Sequence, residues 1–149
     1  MSILQGATTS FKVELLQAVH NFGPTSPNTF KVALYTANAN INADTTAYTT
    51  SNEVTGAGYT AGGNTLVIST SPTSGNNSSN IPTAYISFSN TSWANASFTA
   101  RAALIYNDTA AGNPSVAVLD FGSDKTVSND TFQIIFPTPD ANSAIVRIV

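Results

Sequence analysis

Apolar and polar residues alternate along several short stretches of the chain, which is the pattern of half-buried β-strands. In the first of these stretches, Phe30, Val32 and Leu34 recur at every second position. Residues 116–119 are instead apolar in a row, which is typical of a strand covered on both faces. The predicted strands span residues 30–36, 65–70, 84–89, 98–106, 115–121, 131–136 and 144–149. About seven strands predict a mainly β, antiparallel β-sandwich that forms one domain over residues 1–149.

A helical pattern precedes the strands. Its apolar residues fall within about 100° of arc at 3.6 residues per turn, and they are Phe11, Leu15, Ala18, Val19 and Phe22. This spacing predicts one N-terminal amphipathic helix over residues 8–22, with Thr8 or Ser10 as its cap. Gly23 and Pro24 are expected to end it. We expect the helix to lie on one sheet or across an open end of the sandwich.

Two segments lack a periodic pattern. Residues 37–64 are rich in Asn, Thr, Ala and Gly, and the segment is too long for a simple connection. Irregular segments of this length are usually functional or lie against a partner. Residues 71–80 are rich in Ser, Asn and Gly and are predicted to form a mobile loop.

Charged residues make up only 9 % of the chain, against roughly 25 % in soluble domains. A surface with few charges repels neighbours weakly and is inexpensive to desolvate, so it favours a subunit of an assembly, most simply a homo-oligomer. The five cations are scattered along a chain of net charge −3, which argues against nucleic acid as a partner. The sequence shows no apolar run long enough for a membrane span and no signal peptide.

Candidate chemistry is sparse. With no cysteine and one histidine, transition-metal sites have poor ligands, so we expect no metal, no cofactor and no catalytic residue. His20 lies opposite the apolar side of the predicted helix and is expected at the solvent or at the edge of an interface. Glu53 is the best placed single carboxylate, but glycoside chemistry needs a pair. Trp93 is expected to be a core aromatic; as an exposed ring it could stack on a sugar.

Three stretches together resemble a family of small virion structural proteins of tailed bacteriophages. The first is the predicted helix with residues 28–36, the second is residues 52–63, and the third is residues 100–108 with the later 119–125. The middle stretch, Asn-Glu-Val-Thr-Gly-Ala-Gly-Tyr-Thr-Ala-Gly-Gly, is the most specific of the three.

The resemblance implies a virion component that is made in the bacterial cytoplasm and brings no catalytic residues. It implies the major capsid protein or other virion subunits as partners. A decoration or cement protein on the capsid surface fits best, and a tail, neck or head–tail connector subunit is the alternative. From the residues alone, a carbohydrate-binding module stays open as a third function, with Trp93, Tyr48, Tyr59 or Tyr85 as the stacking platform.

Contacts with other subunits are expected from the helix, the glycine-rich segment and the last strand. Glycines allow a close backbone approach, and Tyr59 offers an aromatic anchor. An internal turn with Tyr59 in the core is an equally weighted alternative for that segment. The predicted interface residues are Phe11, Gly56, Gly58, Tyr59, Gly62, Gly63 and Val149.

Overall fold

Two antiparallel sheets and one short helix make up the structure, a computed structural model that describes residues 2–149. The helix α1 spans Thr9–Leu16. The strands are β1 (Gly6–Ala7), β2 (Phe30–Tyr35), β3 (Asn64–Leu66), β4 (Ile68–Asn76), β5 (Pro82–Phe88), β6 (Thr91–Asn107), β7 (Ser115–Ile134) and β8 (Val146–Ile148). The mainly β class with one helix near the N-terminus is confirmed, with eight strands where seven were predicted.

The two sheets share one hydrophobic core, as in a sandwich. The larger sheet has the order β1-β7-β6-β2-β3, and the smaller sheet has the order β4-β5-β8. Alternate residues of β2, namely Phe30, Val32 and Leu34, enter the same buried cluster as Ile86 of β5 and Val146 of β8. The apolar period of two seen in the sequence is therefore the period of side chains that point into the space between the sheets.

The two long sides of the sandwich differ. On one side the chain passes directly from β3 to β4 through Val67, so the two sheets are linked by the backbone. On the other side the sheets end in two very short edge strands, β1 and β8. We call this second side the seam. Helix α1 follows β1 immediately and buries Phe11 against the shared core.

A second hydrophobic cluster lies on the other face of the larger sheet. Ala39 and Ile41, from the long segment 37–64, pack there with Tyr35, Leu104 and Val118. Residues 116–118 are consequently buried whichever way their side chains point, as the consecutive apolar pattern predicted. The covering layer comes from the chain itself.

Strands β6 and β7 form one long hairpin, where the sequence predicted separate strands over 115–121 and 131–136. The predicted break is wrong because residues 121–124 form a bulge within β7, opposite the single residue Arg101. The bulge is closed by the Asp120 carboxylate, which accepts a hydrogen bond from Gly122 N at 2.8 Å, and Gly122 adopts φ +76°. Pairing resumes at Lys125 and continues to Ile134.

The predicted helix is about twice as long as α1. Thr8 caps the start, where its Oγ1 accepts from Phe11 N at 3.4 Å. The helix stops early because Ala18 adopts φ +58°, a left-handed conformation that reverses the chain. Phe22 is still buried, but it reaches the core from a loop and stacks on Phe30 with ring centroids 4.2 Å apart.

The predicted mobile loop over 71–80 is mostly strand. Residues 71–76 belong to β4, and 73–76 pair with β5 after an irregularity in register between Thr70 and Thr73. Only 77–80 form a turn, in which Asn77 Oδ1 accepts from Ser79 N at 2.9 Å and from Ile81 N at 3.0 Å. Polar composition predicted a loop because this edge strand is solvent-exposed along most of its length.

Candidate interaction surface

Exposed apolar side chains concentrate around α1 and β8. Within residues 2–149, four of the eight large exposed apolar side chains lie on these elements or directly after them, and they are Val13, Leu16, Ile148 and Val149. Leu16 is 91 % exposed and Val149 is 72 % exposed. A cluster of solvent-exposed apolar side chains is typical of a surface that binds another molecule, whereas single exposed apolar residues are common on any protein surface. We call α1, β8 and the clefts beside them the α1–β8 surface.

Two clefts flank the contact between α1 and β8, and four residues line both: Phe11, Leu15, Val146 and Ile148. The first cleft, of about 330 Å³, continues over Phe22, Pro72 and Tyr85 toward the smaller sheet. The second cleft, of about 260 Å³, lies in the seam, between Ala7 of β1 and the residues of β8, with Ala117 of β7 also lining it. The two clefts are therefore adjacent, and the apolar residues that line both of them separate one cleft from the other.

The seam cleft also carries positive charge. Lys12 and Arg147 both line it. In the part of the chain that the structure describes, neither forms an ion pair, whereas Lys31 and Arg101 lie 3.8 Å and 3.2 Å from aspartate oxygens. Arg147 Nη1 donates a hydrogen bond to the backbone carbonyl of Asn142, so among the described residues the charge of each cation is left without a carboxylate partner. Two such cations beside an apolar cleft favour an anionic, partly apolar partner.

The structure brings two of the predicted interface residues together. Phe11 forms the buried floor of the seam cleft and Val149 lies at its exposed side. Sequence reasoning missed Leu16, Lys12 and Ile148. Leu16 was missed because it lies outside the predicted apolar side of the helix. A leucine on the side of a helix that is predicted to face water was the sequence signal that could have found it.

The glycine-rich segment lies elsewhere and packs inside the chain. A Cβ on Gly56 would come 2.4 Å from Ser97 O, and one on Gly58 would come 2.8 Å from Ala96 Cα. A Cβ on Gly63 would come 1.8 Å from Val32 O. Gly62 donates its N–H to Glu53 Oε1 at 2.7 Å. The close approaches that these glycines allow are thus to β6 and β2, and their part in an intermolecular interface stays a prediction.

Glu53 is the centre of a buried polar cluster. Its carboxylate accepts hydrogen bonds from Tyr59 Oη at 2.6 Å, Tyr48 Oη at 2.7 Å and Gly62 N. Tyr59 Oη in turn accepts from Leu34 N at 2.9 Å, which ties the cluster to β2. Every group has a partner, so the cluster fastens the 37–64 segment to the sheet.

Burial shifts the tyrosines of this region away from their ordinary pKa. Burial, followed by the hydrogen bond to Glu53, raises the pKa of Tyr48 to about 12. The same two causes raise the pKa of Tyr59 further, and burial is the main cause for Tyr35 and Tyr106. All four hydroxyls therefore stay protonated, and able to donate a hydrogen bond, up to a higher pH than an ordinary tyrosine does.

His20 was predicted at the solvent or at the edge of an interface. The solvent position is wrong, because His20 is buried; the residue lines the first cleft, and its place at an interface stays a prediction. Because the helix ends at Leu16, His20 turns inward and packs among Phe11, Phe22 and Phe30. Its Nε2 lies 2.7 Å from Glu14 Oε2, and its Nδ1 lies 3.1 Å from Asn107 Nδ2. Since the Asn107 amide nitrogen can only donate, Nδ1 accepts and Nε2 donates. Both ring nitrogens are therefore occupied within the fold.

Trp93 is 4 % exposed, which confirms the prediction that it is a core aromatic residue. Its ring lies 6.0 Å from that of Tyr59 and 5.9 Å from that of Phe132, between centroids. Trp93 and Tyr59 therefore pack on each other and present no open stacking platform. Of the other proposed platform rings, Tyr48 stacks on Tyr106 and Tyr85 lines the first cleft.

Residues 2–149 contain neither a group of metal-binding side chains nor a helix suited to a membrane. No three histidine, aspartate or glutamate side chains in that range are grouped as a metal site would need. No helix there combines the length and the apolar character that crossing a membrane takes.

Comparisons with known proteins gave no relatives: no family model, no curated protein and no solved structure matches the chain. The resemblance to phage virion proteins accordingly stays a prediction from the sequence.

Proposed function

We propose that the chain is a non-enzymatic structural protein of a tailed-bacteriophage virion, and specifically a capsid decoration protein that binds the outer shell. The observation that carries the proposal is the α1–β8 surface. It joins exposed apolar residues such as Leu16 and Ile148 to two adjoining clefts. A protein whose task is to bind other subunits needs such a surface, and it needs no reactive groups.

The state of the ionisable groups supports a binding role over catalysis. Both nitrogens of His20 and both carboxylate oxygens of Glu53 are engaged in internal hydrogen bonds. A general acid or base must be within reach of a substrate proton. His20 and Glu53 instead form hydrogen bonds with other residues of the chain. They are the two ionisable residues that the sequence analysis considered for catalysis.

Decoration stabilises a shell through differential binding. A protein that buries the α1–β8 surface only on the mature shell lowers the free energy of that state by mass action. The contribution of each copy is modest, but it is repeated at every equivalent position of the capsid.

The sequence resemblance supports the virion as the place where this binding occurs, with the major capsid protein as the main partner. A tail, neck or head–tail connector subunit would use the same surface against other virion proteins. The glycan-binding alternative has less support, because its central ring, Trp93, lies in the core.

Copy number per purified particle tests the proposal. Quantitative mass spectrometry against the major capsid protein should give a ratio near one to one, or one to three, for a decoration protein. A handful of copies would move the protein to the neck or tail. Absence from particles would refute the virion role, and a glycan array would then test the remaining alternative.

A further inference from the structure

At the seam, the smaller sheet has fewer strands than the larger sheet that it packs against. The larger sheet has five strands and the smaller sheet has three, and they are linked by the backbone between β3 and β4 on the opposite side. The excess of the larger sheet therefore falls at β1 and β7. Helix α1 covers part of this excess with Phe11, and the seam cleft is the part left uncovered, with Ala117 of β7 in its lining.

The edge of β8 is free to accept a strand. Among residues 2–149, β8 pairs with β5 alone, through Val146, Arg147 and Ile148. Its other side faces the seam, and an edge strand with unpaired N–H and C=O groups is a template for another extended chain. Ile148 and Val149 are exposed along this edge, although both are apolar.

The volume and the charge of the seam cleft define the partner. An apolar cavity of about 150 Å³ is enough for a benzene ring, so the 260 Å³ here can take more than one apolar side chain. Lys12 and Arg147, both without an ion pair among the described residues, line the same cleft. An extended segment with apolar residues for the cleft and carboxylates for these cations matches both features.

We infer that the seam binds an extended segment of a partner protein, in which apolar and acidic residues alternate, as a fourth strand beside β8. This inference rests on the proposed structural role and names the chemistry of the partner. A second copy of this chain is the less suitable occupant. Its own longest free edge, residues 125–134 of β7, is interrupted by a bulge at Asn129. This edge carries one cation, Lys125, and one carboxylate, Asp130, so it offers no net negative charge to the cations of the seam.

Synthetic peptides test the inference on the full chain. The probe is a short, end-blocked, fluorescein-labelled peptide of alternating valine and glutamate, and binding is followed by fluorescence anisotropy. One control peptide has lysine in place of glutamate. A second control keeps the valine–glutamate sequence but is N-methylated at alternate residues, so that it cannot donate the backbone hydrogen bonds of a strand.

Charge-reversal variants locate the site. The double variant Lys12→Glu with Arg147→Glu should bind the valine–glutamate peptide at least about tenfold more weakly. Lys125→Glu is the matched control, since this cation lines a different cleft, with Phe121 and Phe132, and should leave binding unchanged. Bound peptide should also slow hydrogen exchange at backbone amides of β8.

The outcomes separate clearly. Binding that needs glutamate, free backbone N–H groups and the two seam cations supports the inference. Equal binding of the lysine peptide or of the N-methylated peptide overturns it, and so does the absence of binding at millimolar concentration. A dimer in sedimentation equilibrium that Ile148→Asp dissolves would give the seam to a second copy and overturn the partner assigned here. None of these results alters the copy number in particles, which tests the proposed function separately.

Discussion

Gly63 lies where no side chain fits. Its φ is +71°, and an added Cβ would overlap Val32 O. Gly112 has a similar φ of +82° but open space around it. We expect Gly63→Ala to lower the free energy of unfolding by roughly 4 kcal/mol, and Gly112→Ala by only about 1 kcal/mol, the cost of the left-handed backbone alone. Urea unfolding measures both, and equal losses would contradict the packing described for the glycine-rich segment.

Glu53 contributes to stability because both of its side-chain oxygens accept hydrogen bonds within the fold. Glu53→Gln keeps the shape but places an amide NH₂ group against hydroxyl or N–H donors from Tyr48, Tyr59 and Gly62. We expect the free energy of unfolding to fall by about 2–3 kcal/mol. Asp44→Asn, at an exposed carboxylate, is the control and should change it by less than about 0.5 kcal/mol. A loss as small in the glutamine variant would mean that the cluster does not fasten the segment.

Alkaline pH should unfold the protein through its buried tyrosines. The pKa of Tyr48 is raised from 10.0 to about 12, so its hydroxyl binds a proton more tightly in the folded chain than in the unfolded chain. This contribution is complete below pH 10 and is lost as the pH rises from 10 toward 12. Urea midpoints across this range, with tyrosinate absorbance as a second signal, should fall together. Constant midpoints up to pH 12 would disagree with the burial of these hydroxyls.

At the level of single residues, the sequence predicted some environments and missed others. Trp93 was placed in the core because a large aromatic before a strand most often closes the sandwich. His20 was misplaced because its position was inferred from a helix that stops at Leu16. The polar cluster at Glu53 joins residues close in sequence, but the hydrogen bond of Tyr59 to β2 depends on the tertiary fold.

The start of helix α1 depends on Thr8, the residue that caps it. Thr8 caps α1 and also accepts a hydrogen bond from Ser115 Oγ at 2.9 Å, which joins the helix start to β7. Thr8→Ala should lower the free energy of unfolding by about 1–2 kcal/mol, whereas Thr8→Ser keeps the acceptor and should lower it by much less. Chemical unfolding of the two variants decides this; losses of equal size would assign the effect to the missing methyl group.

The strands were easier to predict than the breaks between them. The predicted 30–36 differs from β2 by one residue, because alternation in a strand covered by a sheet leaves a clear period. The bulge at 121–124 and the turn at 77–80 depend on hydrogen bonds that the side chains of Asp120 and Asn77 accept from backbone N–H groups. Composition does not reveal these hydrogen bonds. The end of α1 depends on the left-handed backbone at Ala18, a residue with no preference for it.

For the whole molecule, the proposed role predicts that some substitutions reduce incorporation into particles without changing the free energy of unfolding. Leu16→Asp removes the most exposed apolar side chain of the α1–β8 surface, so the free energy of unfolding should change by less than about 0.5 kcal/mol. Incorporation into particles should nevertheless fall severalfold, as measured by copy number. Ile135→Asp is the matched control, because Ile135 is also exposed but lines a cleft that shares no residue with this surface. Equal incorporation of both variants would place the binding surface elsewhere.

The sandwich architecture followed from the count and spacing of strands. The sequence also pointed to the helix and the last strand as contact elements, but it could not show that these two elements lie side by side and form one surface with the glycine-rich segment left out. The seam is formed by residues near the two ends of the chain, such as Ala7 and Ile148, and it exists only after the sheets are assembled. No local pattern marks residues that are more than a hundred positions apart. Their proximity follows from the strand order, which the sequence did not fix.

The pairing of β1 with β7 also sets the order of events during synthesis. Gly6 pairs with Val118, so the first strand has no partner until more than a hundred further residues have been translated. At about 5–20 residues per second, the nascent chain carries Phe11 unburied for several seconds or longer. The α1–β8 surface therefore forms only after β7 and β8 have been translated, and the proposed binding of a partner at this surface would have to follow that step.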